Sequence, residues 1–543
     1  MPATGTGRNG LASRSVQPVM PAAVALRAAV DGTLAAAVDD TLGRPAMVVR
    51  SVSDRRAGAL GQSDGHTIAD AARAARQSGL PLVLVLASSG ADVYEGIDSL
   101  VGWGRAAREV TECSGVVPVL AALVGPAVSG PALLLGLADH VVMTADAYAY
   151  VSGPMMVRQM TGNVISTAGL GGAGTHQRST GVAARVVATA ADVERELDEL
   201  LAHLPDSVDD EPPRWSCDDP VDRPTPEAGE LLPAGATASY DVRAVVRSVV
   251  DDGAFFELRE HFAPNLVTGF ATVDGRPVGV VANQPQQLAG TLDIACSHKG
   301  ARFVSFCDAF NLPLVTVVDT PGFYPGKDME WRGMIRHGAQ LAFAYARATV
   351  PRVGLTLRKS YGGAFIVMDS KTMGCDLHLA WPTAEIAVMG AEGAVGILHR
   401  RADETERASR VEAYEEAYLN PWVAAERGYI DAVIAPEDTR RELAAALELL
   451  STKREQLRPR RHDGDQALLL QRPQESAEVA GVQPEPGPER PDVEAVGPHL
   501  PEQTGGSERT APGQVLLVQR ADPLGHRAVE PPDRRHGRRI HDL

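Results

Sequence analysis

The chain repeats itself, and the repeat constrains the fold more than any single motif does. "GLPLVLVLASSGADVYEG" at 79–96 lines up with "NLPLVTVVDTPGFYPGKD" at 311–328, an offset of 232. Further on, "VVPVLAALVGPAVSGPALL" aligns with "TVPRVGLTLRKSYGGAFIV": Gly130 follows Pro118 by 12 residues, and Gly363 follows Pro351 by 12. Then "DHVVMTADAYAYVSG" matches "DLHLAWPTAEIAVMG", with Asp139 to Gly153 and Asp376 to Gly390 both steps of 14. Chance likeness of apolar strands explains any one match. Three in the same order at a near-constant offset indicate a duplicated domain.

Each half alternates short all-apolar runs with helix-like stretches such as 66–79 and 299–311. That order predicts α/β layers with largely parallel strands. A chain of 543 residues exceeds one ordinary core, so at least two domains are expected. The pattern predicts a weakly patterned Ala- and Arg-rich segment over 1–56, a first domain over 57–204 and a second over 239–455. Between the domains, 205–238 is rich in Pro and Asp and reads as an exposed linker. Beyond 455 Pro, Gln, Glu and Arg dominate and no aromatic residue follows Tyr429, so 456–543 is predicted to be a disordered tail.

Composition narrows the function classes. Hydrophobic content of 44% with 22% charge is that of a soluble globular protein, and a net charge of −17 argues against a nucleic-acid binder. Five cysteines without C-x-x-C spacing support neither a disulfide framework nor a four-cysteine zinc site, and a reducing cytoplasm is the simplest home. The N-terminus lacks a charged start followed by an apolar core, so no signal peptide is expected. The uncharged run from Cys113 to Ala138 is long enough to span a membrane. Pro118, Gly125, Pro126, Gly130, Pro131 and Gly136 punctuate it, so a buried strand, a turn and a buried helix are expected instead.

"RKSYGGAFIVMDS" at 358–370 sets two glycines inside an apolar run, with no obvious catalytic side chain beside them. Glycine inside a helix or strand costs roughly 0.5–1 kcal/mol relative to alanine. A tight turn or a close crossing would account for the pair. So would a backbone site, because glycine leaves amides bare where a helix begins. In both halves the glycine follows a strand and precedes a helix-like segment. A helix N-terminus carries unpaired N–H groups and partial positive charge, and two such groups aimed at a developing anion form an oxyanion hole. Such a site needs no side-chain nucleophile. One hole suits a thioester enolate; a duplicated hole suggests two enolate-like anions stabilised together.

Five stretches then carry a resemblance. They are "YDVRAVVRSVVDDGAFFELREHFAPNLVTGFATVDGRPVGVVANQP" (240–285), "FCDAFNLPLVTVVDTPGF", "RKSYGGAFIVM", "LAWPTAEIAVMGAEGAV" and, in the first half, "GGAGTH" (171–176). With these, residues 57–455 resemble the beta-type carboxyltransferase subunit of biotin-dependent acetyl- and propionyl-CoA carboxylases. The resemblance implies two tandem crotonase-like domains assembled as a trimer of dimers. It implies that the first domain takes the acyl-CoA and that the second domain of the dimer partner takes carboxybiotin. Backbone amides at Ser129–Gly130 would stabilise the thioester enolate, and those at Gly363–Ala364 the ureido oxygen. Gly171, Gly172 and Ile366 fall on the substrate side of this scheme, and Gly362, Gly390 and Glu392 on the biotin side. The chain has no "AMKM"-like biotinylation site, so a separate biotin carboxylase and carrier subunit must bring the biotin. Malonyl- or methylmalonyl-CoA would be the product.

Three departures fall on the acyl-CoA side: Ser129–Gly130 where two glycines are usual, "ASSGAD" (87–92) where "DSGGAR" is common, and no basic leader before residue 57. Two other readings stand beside this one. A crotonase-type hydratase or decarboxylase would need one hole and a side-chain acid or base; a non-catalytic partner subunit would need neither. His176 reads as a packed histidine, and Asp139 and Asp376 as structural groups opening equivalent strands.

Overall fold

The computed structural model describes residues 32–455, apart from 41, 236, 237 and 454. All of them belong to one compact unit, Met1–Val482. The tail expected over 456–543 and most of the first segment lie outside the described residues.

Two sheets account for the duplication. The first holds β1 (Leu34–Asp39), β2 (Ala46–Ser51), β3 (Leu82–Ser88), β4 (Val119–Val128), β5 (His140–Thr144), β6 (Tyr148–Tyr150) and β7 (Arg185–Val187). Their order is β1-β2-β3-β4-β5-β7, with β6 pairing the far end of β4. The second holds β8 (Phe255–Leu258), β9 (Leu266–Val273), β10 (Arg276–Asn283), β11 (Leu314–Thr320), β12 (Arg352–Tyr361), β13 (Leu377–Ala380), β14 (Glu385–Ala387) and β15 (Ala432–Val433). It runs β15-β13-β12-β11-β10-β9-β8, with β14 pairing the far end of β12. The first sheet opens with the antiparallel pair β1–β2 and the second with the antiparallel run β8–β9–β10, and each continues parallel from there. Leu82 faces Val119 in one sheet and Leu314 faces Arg352 in the other. Both ladders shift register just before the strand ends, at Leu86/Ser88 and Val318/Thr320. Strands covered on both faces read as continuous apolar runs, which is why "LVLVLAS" and "LVTVVDT" lack the alternation of a half-exposed strand.

The two halves share a core. Val83, Leu120 and Val142 from the first sheet lie in one apolar cluster with Phe270 and Val318 from the second and with Phe303 and Phe306 from the helix Ile294–Ala309. Buried polar groups stitch the same seam. The Arg259 amide donates to the Ala184 carbonyl (2.9 Å) and its Nε to the Gly181 carbonyl (2.8 Å). Lys299 Nζ in turn donates to the carbonyls of Arg259 and Phe262, both at 2.9 Å. Burial pulls the Arg259 pKa down to about 9 and that of Lys299 to about 7.

Two expected boundaries need correction. The first domain does not begin at 57, because β1 and β2 precede that point and β2 pairs in parallel with β3. The Ala-rich β1, "LAAAVD", gives too little contrast for its pattern to show. Nor is 205–238 a free linker. The Trp215 amide donates to the Gly275 carbonyl (2.8 Å), Thr225 Oγ1 to the Pro436 carbonyl (2.9 Å), and fully buried Arg440 to the carbonyls of Pro220 and Asp219. The uncharged run 113–138 becomes β4 and the Gly130–Leu137 helix, as its punctuation indicates. Among the described residues no helix is long and apolar enough to cross a membrane.

Candidate functional site

β4 and β12 each end in a turn that opens a short helix, Gly130–Leu137 in the first half and Gly362–Val367 in the second. Gly362 takes φ 58°, and a Cβ there would lie 3.1 Å from the Val388 carbonyl, so conformation dictates this glycine. Gly363 is exposed, and a Cβ on it would meet only the Phe323 ring, at 3.4 Å. As first residues of a helix, Gly363 and Ala364 have no carbonyl within it to receive their N–H groups.

The first half builds the same turn from different residues. Ser129, at φ 63° and ψ −128°, occupies the place of Gly362, and its amide donates to the Tyr150 carbonyl at 2.9 Å. Gly130 occupies the place of Gly363; a Cβ there would lie 3.0 Å from Cδ1 and Nε1 of Trp103, so a close approach dictates this glycine. Pro131 stands where the second half has Ala364, and it has no N–H to offer.

The surrounding loops are also twinned. Gly90 and Gly322, at φ 120° and 138°, accept the amides of Leu60 (2.8 Å) and Leu292 (3.0 Å). The left-handed run Arg56–Ala57–Gly58 (φ 51°, 56°, 71°) repeats as Leu288–Ala289–Gly290 (48°, 54°, 73°). Arg56 pairs with buried Asp92 and lies over the Tyr94 ring, 4.5 Å from its centroid. Apolar side chains stand exposed beyond both turns: Leu133 and Ile366 at matching places, Val151 and Val388, Met160 and Ile397.

The residues named from sequence separate into two groups. Ser129, Gly130, Gly362, Gly363, Ala364 and Ile366 sit on the two turns or their helices. Gly390 starts the Ala391–Leu398 helix and packs against the Tyr361 ring, and Glu392 is exposed on its first turn. Gly171 and Gly172 do not join them. Both are buried, and a Cβ on Gly171 would lie 1.9 Å from the Ala149 carbonyl, so they serve close packing beneath β6. His176 bonds the Ala149 carbonyl (2.9 Å) and Thr180 Oγ1 (2.8 Å), and burial lowers its pKa, which makes it the packed histidine expected. Asp139 and Asp376 do the same work twice: each carboxylate accepts the amide that opens the neighbouring strand, Val119 at 2.8 Å and Arg352 at 2.9 Å. Trp103, Phe323, Leu133 and Pro131 were not singled out from sequence, although aligning Gly130 with Gly363 already sets Pro131 opposite Ala364. No cluster of three or more His, Cys, Asp or Glu side chains suited to a metal occurs among the described residues.

A pair of backbone turns on duplicated α/β sheets leaves several acyl-group chemistries open. Residues 17–464 match the carboxyl transferase domain family. The chain belongs to that family. It is an enzyme of the beta type found in biotin-dependent acyl-CoA carboxylases, with two tandem crotonase-like domains. It is 43% identical over 412 residues to the propionyl-CoA carboxylase carboxyltransferase subunit of Haloferax mediterranei, covering 75% of this chain and 80% of that one. It is 40% identical over 430 residues to the methylmalonyl-CoA carboxyltransferase 12S subunit of Propionibacterium freudenreichii, covering 78% and 82%. A crystal structure of transcarboxylase 12S, described as a hexamer with methylmalonyl-CoA and methylmalonic acid bound, superposes with a TM-score of 0.77 at 39% identity. It covers 79% of this chain and 84% of that one.

Proposed function

We propose that this carboxyltransferase moves a carboxyl group from carboxybiotin to the α-carbon of a short acyl-CoA, with propionyl-CoA the favoured acceptor and methylmalonyl-CoA the product. The observation that carries the reading is the doubled turn: a short helix opens on glycine at the end of β4 and again at the end of β12, with exposed apolar side chains beyond both. The similarity to propionyl-CoA and methylmalonyl-CoA enzymes supports the choice of acyl group.

On this reading the first-half turn holds the thioester oxygen and the second-half turn holds the ureido oxygen of biotin. The second turn fits a neutral, flat, partly apolar group. Gly363 and Ala364 offer two donors, Gly362 brings the backbone close, and Ile366 and Val388 supply exposed apolar surface. Bound carboxybiotin, carried on a separate subunit, supplies the carboxyl group and a basic nitrogen. The protein's own part is to hold two oxygens where charge develops and to keep water away from the carboxyl group in transit. The hexamer of the 12S structure supports a trimer of dimers, with the first-half turn of one protomer facing the second-half turn of another.

Ile366 favours a second reading, in which acetyl-CoA is accepted as well. An isoleucine on the helix that opens at Gly362 presents an apolar wall that does not require an α-methyl group on the substrate. The test is reconstitution. The purified chain is combined with biotin carboxylase, biotinylated carrier, ATP and labelled bicarbonate, then offered acetyl-, propionyl- and longer acyl-CoA. Label in methylmalonyl-CoA supports the proposal; a folded oligomer that labels no acyl-CoA refutes it.

A further inference from the structure

The two turns share a shape but differ in what they can donate. In the second half, Gly363 and Ala364 both carry a free helix-opening N–H. In the first half, Pro131 removes the N–H at the position of Ala364, and the Ser129 amide is spent on the Tyr150 carbonyl. Gly130 is the one amide left on this turn. The turn that would hold the thioester oxygen therefore has fewer backbone donors than its twin.

The same turn contains a residue that the fold does not call for. Ser129 sits at φ 63° and ψ −128°, where its twin is a glycine at φ 58°. Holding a side chain in such a region costs of order 1–3 kcal/mol, and outliers of this kind gather at functional sites. The serine returns nothing to the protein for this. It is exposed, and its hydroxyl makes no hydrogen bond among the described residues. Its Cβ lies 3.9 Å from where a Cβ on Gly90 would stand, so the side chain lies between the strand-end loop and the Gly130 turn, at the mouth of the first-half site.

We propose that Ser129 Oγ is a catalytic donor to the acyl-CoA thioester oxygen, replacing the backbone N–H that Pro131 lacks. The hydroxyl and the Gly130 amide then form the pair that Gly363 and Ala364 form with backbone alone. The assignment rests on the acyl-CoA reading of the first half. It adds a side-chain group to a site otherwise made of backbone.

Three variants test it in the reconstituted carboxylase: Ser129→Ala, Ser129→Gly and the double variant Ser129→Gly with Pro131→Ala. Ser129→Ala keeps the backbone strain and removes the hydroxyl. It should lower kcat about 100-fold, the scale of losing one oxyanion donor, with KM for propionyl-CoA changed less. Ser129→Gly should lower kcat as much while raising the melting temperature, because the turn relaxes. The double variant restores an amide at 131 and should recover at least a tenfold share of the lost kcat. Ser129→Gly with kcat within twofold of wild type would overturn the proposal, and so would a double variant no better than Ser129→Gly. If the wild type carboxylates no acyl-CoA, the proposed function fails. Calorimetry with propionyl-CoA then judges the serine separately: weakening by fivefold or more in Ser129→Ala supports it, and equal affinity overturns it.

Discussion

One added methyl group, placed at either of two adjacent glycines, separates the architecture of the second turn from its chemistry. Gly362→Ala forces a Cβ onto a residue at φ 58°, 3.1 Å from the Val388 carbonyl. The left-handed conformation alone costs about 1–2 kcal/mol. Spread over a domain of this size, that lowers the melting temperature by about 2–8 °C. Gly363→Ala meets no such penalty. Its φ lies outside the left-handed range and its nearest neighbour, the Phe323 ring, stands at an ordinary 3.4 Å. Alanine in place of glycine in a helix gains up to about 1 kcal/mol, so this variant should melt at or above the wild type. The new methyl group nevertheless stands beside the helix-opening amides. Displacing a bound oxygen by about 1 Å costs on the order of 100-fold in turnover. Differential scanning calorimetry and carboxylation of propionyl-CoA, run on the same preparations, give the two readouts. Gly363→Ala with full stability and full activity would refute a role for this turn, and Gly363→Ala less stable than Gly362→Ala would refute the geometry.

Three further outcomes follow from named residues. Burial pushes the Asp139 carboxyl up to about 6, above its unfolded value, so the folded state holds the extra proton and stability falls as pH rises from about 4 to 6. Asp139→Asn should flatten denaturant-derived stability across that window, and an unchanged slope would show that another group sets it. Ile366→Asp should lower use of acetyl-CoA relative to propionyl-CoA while the oligomer survives, the change being of the 1–3 kcal/mol scale of pocket discrimination; an unchanged ratio would leave Ile366 as packing. Inactive Gly130 and Gly363 variants should regain part of the activity when co-expressed, since mixed dimers restore some intact sites. No recovery in well-mixed heterodimers would place both turns within one protomer.

Much of this fold is legible because a duplication writes it twice. The strand pairs β3–β4 and β11–β12 follow from two apolar runs with the same downstream proline, glycine and aspartate spacing. Asp139 and Asp376 read as structural because they recur at one place, and both carboxylates do receive the opening amide of the neighbouring strand. What stayed hidden lacks periodicity or depends on contacts distant in sequence. β1 is alanine-rich and carries too little apolar contrast to announce a strand. The segment 205–238 has the composition of a linker, yet Arg440, some 220 positions on, fastens it. Gly171 looks like a ligand glycine until the Ala149 carbonyl is found against it. Gly130 and Gly363 are twins in sequence but glycines for different reasons, one beneath Trp103 and the other opening a site. The positive φ of Ser129 is invisible without coordinates, although the missing amide of Pro131 is not.

The most direct test of the account needs this chain alone. Incubated with methylmalonyl-CoA labelled in its free carboxyl group and with free biotin, the purified protein should transfer label to biotin and release propionyl-CoA, and Gly363→Ala should abolish the transfer without unfolding the protein. A folded, oligomeric wild-type protein that moves no label from methylmalonyl-CoA to biotin would contradict the central claim.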